Sequence, residues 1–267
     1  MKFNEDTLLH YMNKAPLALA FERALECKIY PNFPFPRPIL DLGCGEGLFA
    51  HILFGEKIDT GVDPNPRELE HARKLQVYEE LIPCKGDSIP KPDGSYKTIF
   101  SNSVLEHIPD VEPVLREVYR LLAPGGRFYF TVPSPLFCRY TVLNQLFTLI
   151  GLEDLAARFR RFYNYFWKHY HDYPLEVWEG LVKRAGFEVM TSLSYDPRKI
   201  ALLNDLFSPF AFFAYLSKRF TNRWIIIPYL RQLFMYPLYC PAKMFLHGGD
   251  KTDKGGLIFV AARKEQA

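Results

Sequence analysis

Apolar residues in this chain fall into short runs separated by amphipathic stretches. The runs at 39–42, 60–62, 96–101 and 127–132 have the length of strands. The segments that follow the first three, from residue 48, over 66–80 and over 111–122, repeat apolar positions at helical spacing. Strands alternating with helices predict βαβ units on a parallel sheet. The pattern resumes with a helix over 175–185, closed by Gly186, and a strand over 187–195, and a last strand is expected over 256–262. Upstream, Leu8, Leu9, Met12, Ala15, Leu19 and Leu25 recur at helical intervals, with Pro16 either starting a second helix or kinking the first. Four prolines within 31–38 make the join to the first strand an extended connector.

Two segments interrupt the alternation and divide the chain. Residues 1–38 form a helical cap with its connector, 39–195 and 256–267 form the α/β domain, 134–173 is a helical lid rich in Phe and Tyr, and 197–255 is an insertion before the last strand. A length of 267 residues suits one such domain with additions better than two cores. The formal charge of +3 predicts no nucleic-acid partner for the whole molecule, but its distribution is uneven. Between 197 and 247 stand Arg198, Lys199, Lys218, Arg219, Arg223, Arg231 and Lys243 against the single acid Asp205, interleaved with aromatics such as Phe207, Phe210, Phe213, Trp224, Phe234 and Tyr236. Basic and aromatic residues together suit a bilayer interface with anionic headgroups. Pro209, Pro228, Pro237 and Pro241 break the stretch and Arg231 interrupts it, so a helix pair lying in the interface is expected rather than a span. Coverage of the sheet edge or a dimer contact would use the same residues. Single-stranded RNA is disfavoured by the absence of a Lys/Arg-rich cluster.

The five cysteines are scattered and never form a Cys-x-x-Cys pair, which argues against a disulfide framework or zinc and for a reducing cytoplasm. The N-terminus lacks the layout of a secretory signal. A cytoplasmic protein, peripheral on the inner face of the membrane, is the expected location.

Residues 39–50, Ile-Leu-Asp-Leu-Gly-Cys-Gly-Glu-Gly-Leu-Phe-Ala, read as a buried strand, a glycine loop and the start of a helix. Gly43, Gly45 and Gly47 can take positive φ and let backbone approach a ligand that a Cβ would repel, with N–H groups of the loop facing it. Asp63 ends the next strand, where an acid meets ribose hydroxyls in dinucleotide folds. The spacing departs from the nicotinamide fingerprint, since Leu48 stands three places after Gly45, and no Gly-Lys-Ser/Thr follows as an ATPase loop requires.

Taken with the Gly61-Val-Asp63, Gly86-Asp87-Ser88, Phe100–Asp110 and Leu122–Arg127 segments, the loop resembles the successive motifs of class I S-adenosylmethionine-dependent methyltransferases. The nearest branch is that of ubiquinone and menaquinone biosynthesis. The resemblance covers 39–132 closely, and 175–195 and 256–263 loosely. It implies a Rossmann-like α/β fold with a seven-stranded, mostly parallel sheet, an antiparallel last strand and helices on both faces. It also implies S-adenosylmethionine as cofactor. By position, Gly43, Cys44, Gly45 and Gly47 would line its amino-acid and ribose part, and Asp41 would order the loop or meet the methionine ammonium. Asp63, followed by Pro64, would hold the ribose hydroxyls; Asp87 and Ser88 would face the adenine; Asn102 would border the methionine.

Methyl transfer needs chiefly an aligned nucleophile, and an oxygen nucleophile also gains from a base. His107, in the Leu-Glu-His-Ile-Pro run, and His169 and His171, two apart in the lid, are the candidates. No metal is expected, because the two lid histidines and Asp172 lack a further matched ligand. The expected acceptor is a lipid, polyprenyl-linked or other amphipathic small molecule methylated at oxygen. A soluble sugar or natural-product acceptor, and a protein that binds the cofactor without turnover, stay open as alternatives.

Overall fold

A computed structural model of the chain describes residues 1–221 and 224–266; Arg223 lies outside the described residues. The alternation read from the sequence is realised as β1 (Ile39–Leu42), α3 (Leu48–Leu53), β2 (Ile58–Val62), α4 (Pro66–Leu75), β3 (Tyr78–Ile82), β4 (Tyr96–Asn102), α5 (Glu112–Leu121) and β5 (Leu122–Pro133). It closes with α8 (Leu175–Arg184), β6 (Phe187–Pro197) and β7 (Gly255–Lys264). The seven strands form one sheet in the order β3-β2-β1-β4-β5-β7-β6. β7 runs antiparallel to β5 and to β6, and the other pairs are parallel.

Pleating sends neighbouring residues to opposite faces, so each strand feeds two cores. Ile39, Phe100, Tyr129 and Phe259 join the core beneath the N-terminal helices α1 (Thr7–Lys14) and α2 (Leu17–Ile29). Leu40, Ile99, Phe128 and Phe130 join the one beneath α5 and α8. α5 shows why: Val114, Leu115, Val118 and Leu121 are buried at helical spacing. Pro16 separates two helices and bends neither.

The helix expected over 66–80 is corrected to α4 followed by a strand. The Asn65 side chain accepts the Arg67 N–H at the start, with Pro66 at the first position. Gln76 then turns left-handed at φ 55°, which ends the helix and lets Tyr78–Ile82 pair along β2. Glu79 and Glu80, good helix formers, sit exposed on this edge strand.

The lid is a hairpin of α6 (Val142–Leu149) and α7 (Glu153–Trp167). The insertion holds three helices rather than a pair: α9 (Arg198–Leu206), α10 (Ser208–Thr221) and α11 (Pro228–Phe245). α11 runs through Pro237 and Pro241. Each forfeits one N–H, on a helix along which Met235 and Ala242 alone are buried. Arg231 pins α11 to the end of α1 by donating to the carbonyls of Met12 (2.8 Å) and Ala15 (3.3 Å). Asp205 on α9 accepts the Val142 N–H (2.7 Å), joining insertion to lid. Among the described residues no single helix is long and apolar enough to cross a membrane; α9 and α10 would reach that length together but are bent by 52°.

Candidate functional site

β1 and β2 end at one edge of a cleft. Gly43, Gly45 and Gly47 all take positive φ (77°, 51° and 76°), as the loop demands. A Cβ on Gly45 would meet nothing within 4 Å, so this turn of the loop faces open space. Asp63 organises it: one carboxylate oxygen accepts the Gly45 N–H (3.0 Å) and the other the Asn65 N–H (2.8 Å). Pro64 follows on the exposed surface, and Asp87 and Ser88 lie exposed in a nearby turn. Asp63 and Asp87 both act on the Cys84 thiol, which burial raises first and these acids, with Glu117, raise further.

Asp41 lies under the loop, almost wholly buried, and accepts a hydrogen bond from the Tyr78 hydroxyl (2.7 Å). Burial pushes its carboxyl up to about 7, with Asp63 adding to the rise and Tyr78 opposing it. Cys44 is buried beside them, its thiol raised chiefly by burial. The cleft is lined on the loop side by Asp41, Gly43, Cys44, Glu46 and Asn102, and on the other by Tyr11, Ala15, Leu19 and Arg23 of the N-terminal helices.

Trp224 of the insertion completes that lining. Its indole N–H donates to Glu46 (2.6 Å), and Lys218 bridges Glu46 (2.9 Å) and Glu68 (3.5 Å) with its ammonium 4.5 Å from the Trp224 ring centre. The insertion is thereby latched to the glycine loop. Asn102 is held at the other end by a buried network: it donates to Glu26 (2.8 Å) and accepts from Tyr30 (3.2 Å) and Thr131 (3.1 Å). Tyr195 and Arg23 also donate to Glu26.

Of the three histidines, two are brought together. The rings of His107 and His169 lie 5.2 Å apart, and with Glu106 their ligand atoms fall within 4.8 Å of one another. His107 Nδ1 is 3.2 Å from the Lys168 carbonyl, which can only accept, so the neutral ring carries its proton there and leaves Nε2 as the acceptor, 3.7 Å from a Glu106 carboxyl oxygen. Burial lowers both rings, His169 to about 4, while the Lys168 carbonyl opposes the fall at His107. His171 is placed apart, donating Nε2–H to the Ile108 carbonyl (2.9 Å) between the rings of Tyr173 and Trp178. Glu106 is buried and its carboxyl raised to about 8 by that burial.

Tyr78, Glu26 and Arg23 were not foreseen, and Trp224, expected with the rings of a bilayer interface, lines the cleft instead. The signal for two of them was available: Glu22, Arg23 and Glu26 interrupt a helix whose other positions are mostly apolar, and charges on such a helix become buried when it is covered on several sides.

A glycine loop and an acid at adjoining strand ends, at the carboxyl edge of a sheet whose last strand is reversed, define a nucleoside-cofactor site. The profile of the methyltransferase domain family matches residues 8–192, and the chain belongs to that family. An uncharacterised methyltransferase of Mycobacterium sp. (strain KMS) is 36% identical over 94 residues, 35% of this chain and 37% of that protein. A ubiquinone biosynthesis O-methyltransferase of Vibrio cholerae is 28% identical over 156 residues, 55% of this chain and 58% of the relative. The chain thus spans less than two thirds of the curated relatives it matches. An S-adenosylmethionine-dependent methyltransferase of Thermotoga maritima superposes with a TM-score of 0.57 at 17% identity, covering 93% of this chain and 92% of its own, a likeness of fold alone. The cleft suits the cofactor: the exposed turn at Gly45 gives backbone access and the Asp63 carboxylate retains lone pairs for hydroxyls.

Proposed function

We propose that this methyltransferase acts at the cytoplasmic face of a membrane on an amphipathic, lipid-linked or polyprenyl-linked small molecule, methylating it at oxygen. The observation that carries the reading is the shape of the insertion. Its Trp224 lines the cofactor cleft, while Phe210, Phe213, Phe234 and Tyr236 turn outward, each at least 64% exposed. The lid likewise exposes Leu149, Phe162, Tyr165 and Phe166. Monomeric soluble proteins rarely expose large contiguous apolar patches, and bilayer headgroups accommodate rings with Arg and Lys between them. The five free thiols suit a reducing compartment. The Vibrio cholerae relative, by its name, also methylates oxygen.

Bound S-adenosylmethionine supplies an electrophilic methyl group on sulfur. The chain's share is to align the acceptor and take its hydroxyl proton, which falls to Nε2 of neutral His107. Replacing His107 with alanine is expected to lower kcat by roughly 10²- to 10⁴-fold. His171→Ala should leave kcat per folded molecule near wild type and lower Tm, because that ring packs in the core. The acid limb of the kcat profile should fall below pH 6.5, since burial lowers His107. A loss of turnover in His171→Ala matching that in His107→Ala would remove this assignment.

Flotation tests the membrane. The intact chain should rise with anionic liposomes and stay behind with neutral ones, and a Phe210→Asp, Phe213→Asp, Phe234→Asp variant should remain at the bottom with its sheet intact. Radiolabelled methyl should pass into the organic-soluble fraction of a lipid extract. A wild-type protein that ignores anionic liposomes and labels only water-soluble compounds would refute the reading.

A further inference from the structure

The carboxyl edge of the sheet buries more acid than it pairs. Glu22 and Glu26 come from α2, Glu106 from the turn after β4 and Asp196 from the end of β6, and each is less than a tenth exposed. Arg23 is the cation among them, gripping Glu26 with two bonds (2.8 and 2.9 Å) and reaching Glu22 at 3.5 Å. Glu26 is satisfied further by Asn102 and Tyr195. Nothing comparable serves the rest. Both oxygens of Asp196 and one of Glu106 are buried without a hydrogen-bond partner among the described residues. Burial raises the Asp196 carboxyl first, and the acids Glu22 and Glu26 raise it further.

Asp196 is also strained, with φ at 61° on a non-glycine residue that lies in the middle of the fold with no exposure. Its carboxyl abuts Gly256, where a Cβ would come within 3.0 Å of an oxygen. Unsatisfied buried carboxyls are costly, and left-handed backbone adds to the cost. Strain and unmet polar groups that gather at one place in a fold mark a ligand site. The acid cluster meets the cleft at Asn102, which donates to Glu26 at 2.8 Å, and meets the histidine pair through Glu106, one of whose oxygens lies 3.7 Å from His107 Nε2.

We infer that the acceptor carries a protonated amine, and that Asp196 and Glu22 receive it, with Glu26 adding to the negative field. An ammonium has three N–H donors and no acceptor, the complement of carboxyl oxygens without donors. The acceptor would then be an amphipathic amino alcohol or amino sugar, its hydroxyl toward His107 and its ammonium toward Asp196. This rests on the proposed acceptor class and narrows it.

Octylamine and octanol, used as probes on the full chain with S-adenosylmethionine bound, test the ammonium site directly. Octylamine at millimolar concentration should raise Tm by several degrees and octanol should not. Asp196→Asn should raise the Tm of the unliganded protein and cancel the octylamine shift, with Glu22→Gln weakening it. Equal shifts from both probes, or a shift that survives Asp196→Asn combined with Glu22→Gln, would overturn the inference. A second arm labels a lipid extract and passes the product over a cation exchanger at pH 7. Retention, with labelling cut at least tenfold by prior N-acetylation of the extract, supports an amine; a labelled product that flows through and is indifferent to acetylation refutes it while the methyltransferase reading stands. Absence of any labelled lipid would fail the acceptor reading instead, and the probe shifts would still decide the ammonium site.

Discussion

Alanine at position 63 is expected to weaken S-adenosylmethionine binding about 100-fold or more while the protein stays folded. The Asp63 carboxylate holds the loop from both sides, accepting from Gly45 at 3.0 Å and Asn65 at 2.8 Å. Hydrogen bonds to a charged acceptor are worth about 1.5–3 kcal/mol each, and 100-fold in affinity corresponds to about 2.7 kcal/mol. Alanine removes both bonds and the lone pairs that would face ribose, so the loop loses its order at the point where Gly45 opens to the ligand. Asparagine keeps one acceptor oxygen and replaces the other with a donor, which places its loss near tenfold. Neither change touches the two hydrophobic cores, and Tm should move by only a few degrees. Calorimetric titration measures the affinity directly; an Asp63→Ala protein that binds within threefold of wild type would take Asp63 out of the cofactor site.

The sheet was legible because its parallel strands are buried on both faces and read as short apolar runs, and because the glycine loop and Asp63 fall at strand ends where their spacing is visible. β3 was hidden. Glu79 and Glu80 favour helix, and what ends α4 is a left-handed Gln76, a residue with no strong turn signal. Missing β3 also concealed what two glycines do. Gly47 and Gly61 would place a Cβ within 3.0 and 2.9 Å of the Tyr78 ring, so their bareness makes room for a side chain of the protein. That ring in turn carries the hydroxyl which meets Asp41. The insertion was readable as a surface of rings and cations, since its outward residues show that composition openly. Its latch was not, because Trp224, Lys218 and Glu46 are joined only once the chain has folded. The same holds for the acids beneath α2: local sequence shows charges on an apolar helix, and only the packing of β6 and the turn after β4 against it brings Asp196 and Glu106 within their field.

Those buried acids give the protein an unusual dependence on pH, in which stability falls as pH rises from 6.5 to 8. Glu106 in the folded chain is held up to about 8 by burial, against 4.5 when solvated. Across this window the native state therefore keeps a proton that the unfolded state has released, and the slope of unfolding free energy with pH is negative. At about 1.36 kcal/mol for each pH unit, Glu106 alone accounts for about 2 kcal/mol over the interval. Asp41, raised to about 7, and Asp196, raised further by burial, act in the same direction. The window has to lie above 6.5, because His107 and His169, lowered by burial, bind fewer protons folded than unfolded at more acid pH and tilt the curve the other way. For a chain of this size the loss corresponds to a Tm lower by about 4–8 °C at pH 8 than at pH 6.5. Glu106→Gln, which cannot ionise, should flatten that limb and overtake the wild type at pH 8. Thermal unfolding of both proteins at half-unit steps of pH decides it: a wild-type Tm that rises toward pH 8, or a limb of the same slope in Glu106→Gln, would show that the buried carboxyl is ionised in the native fold.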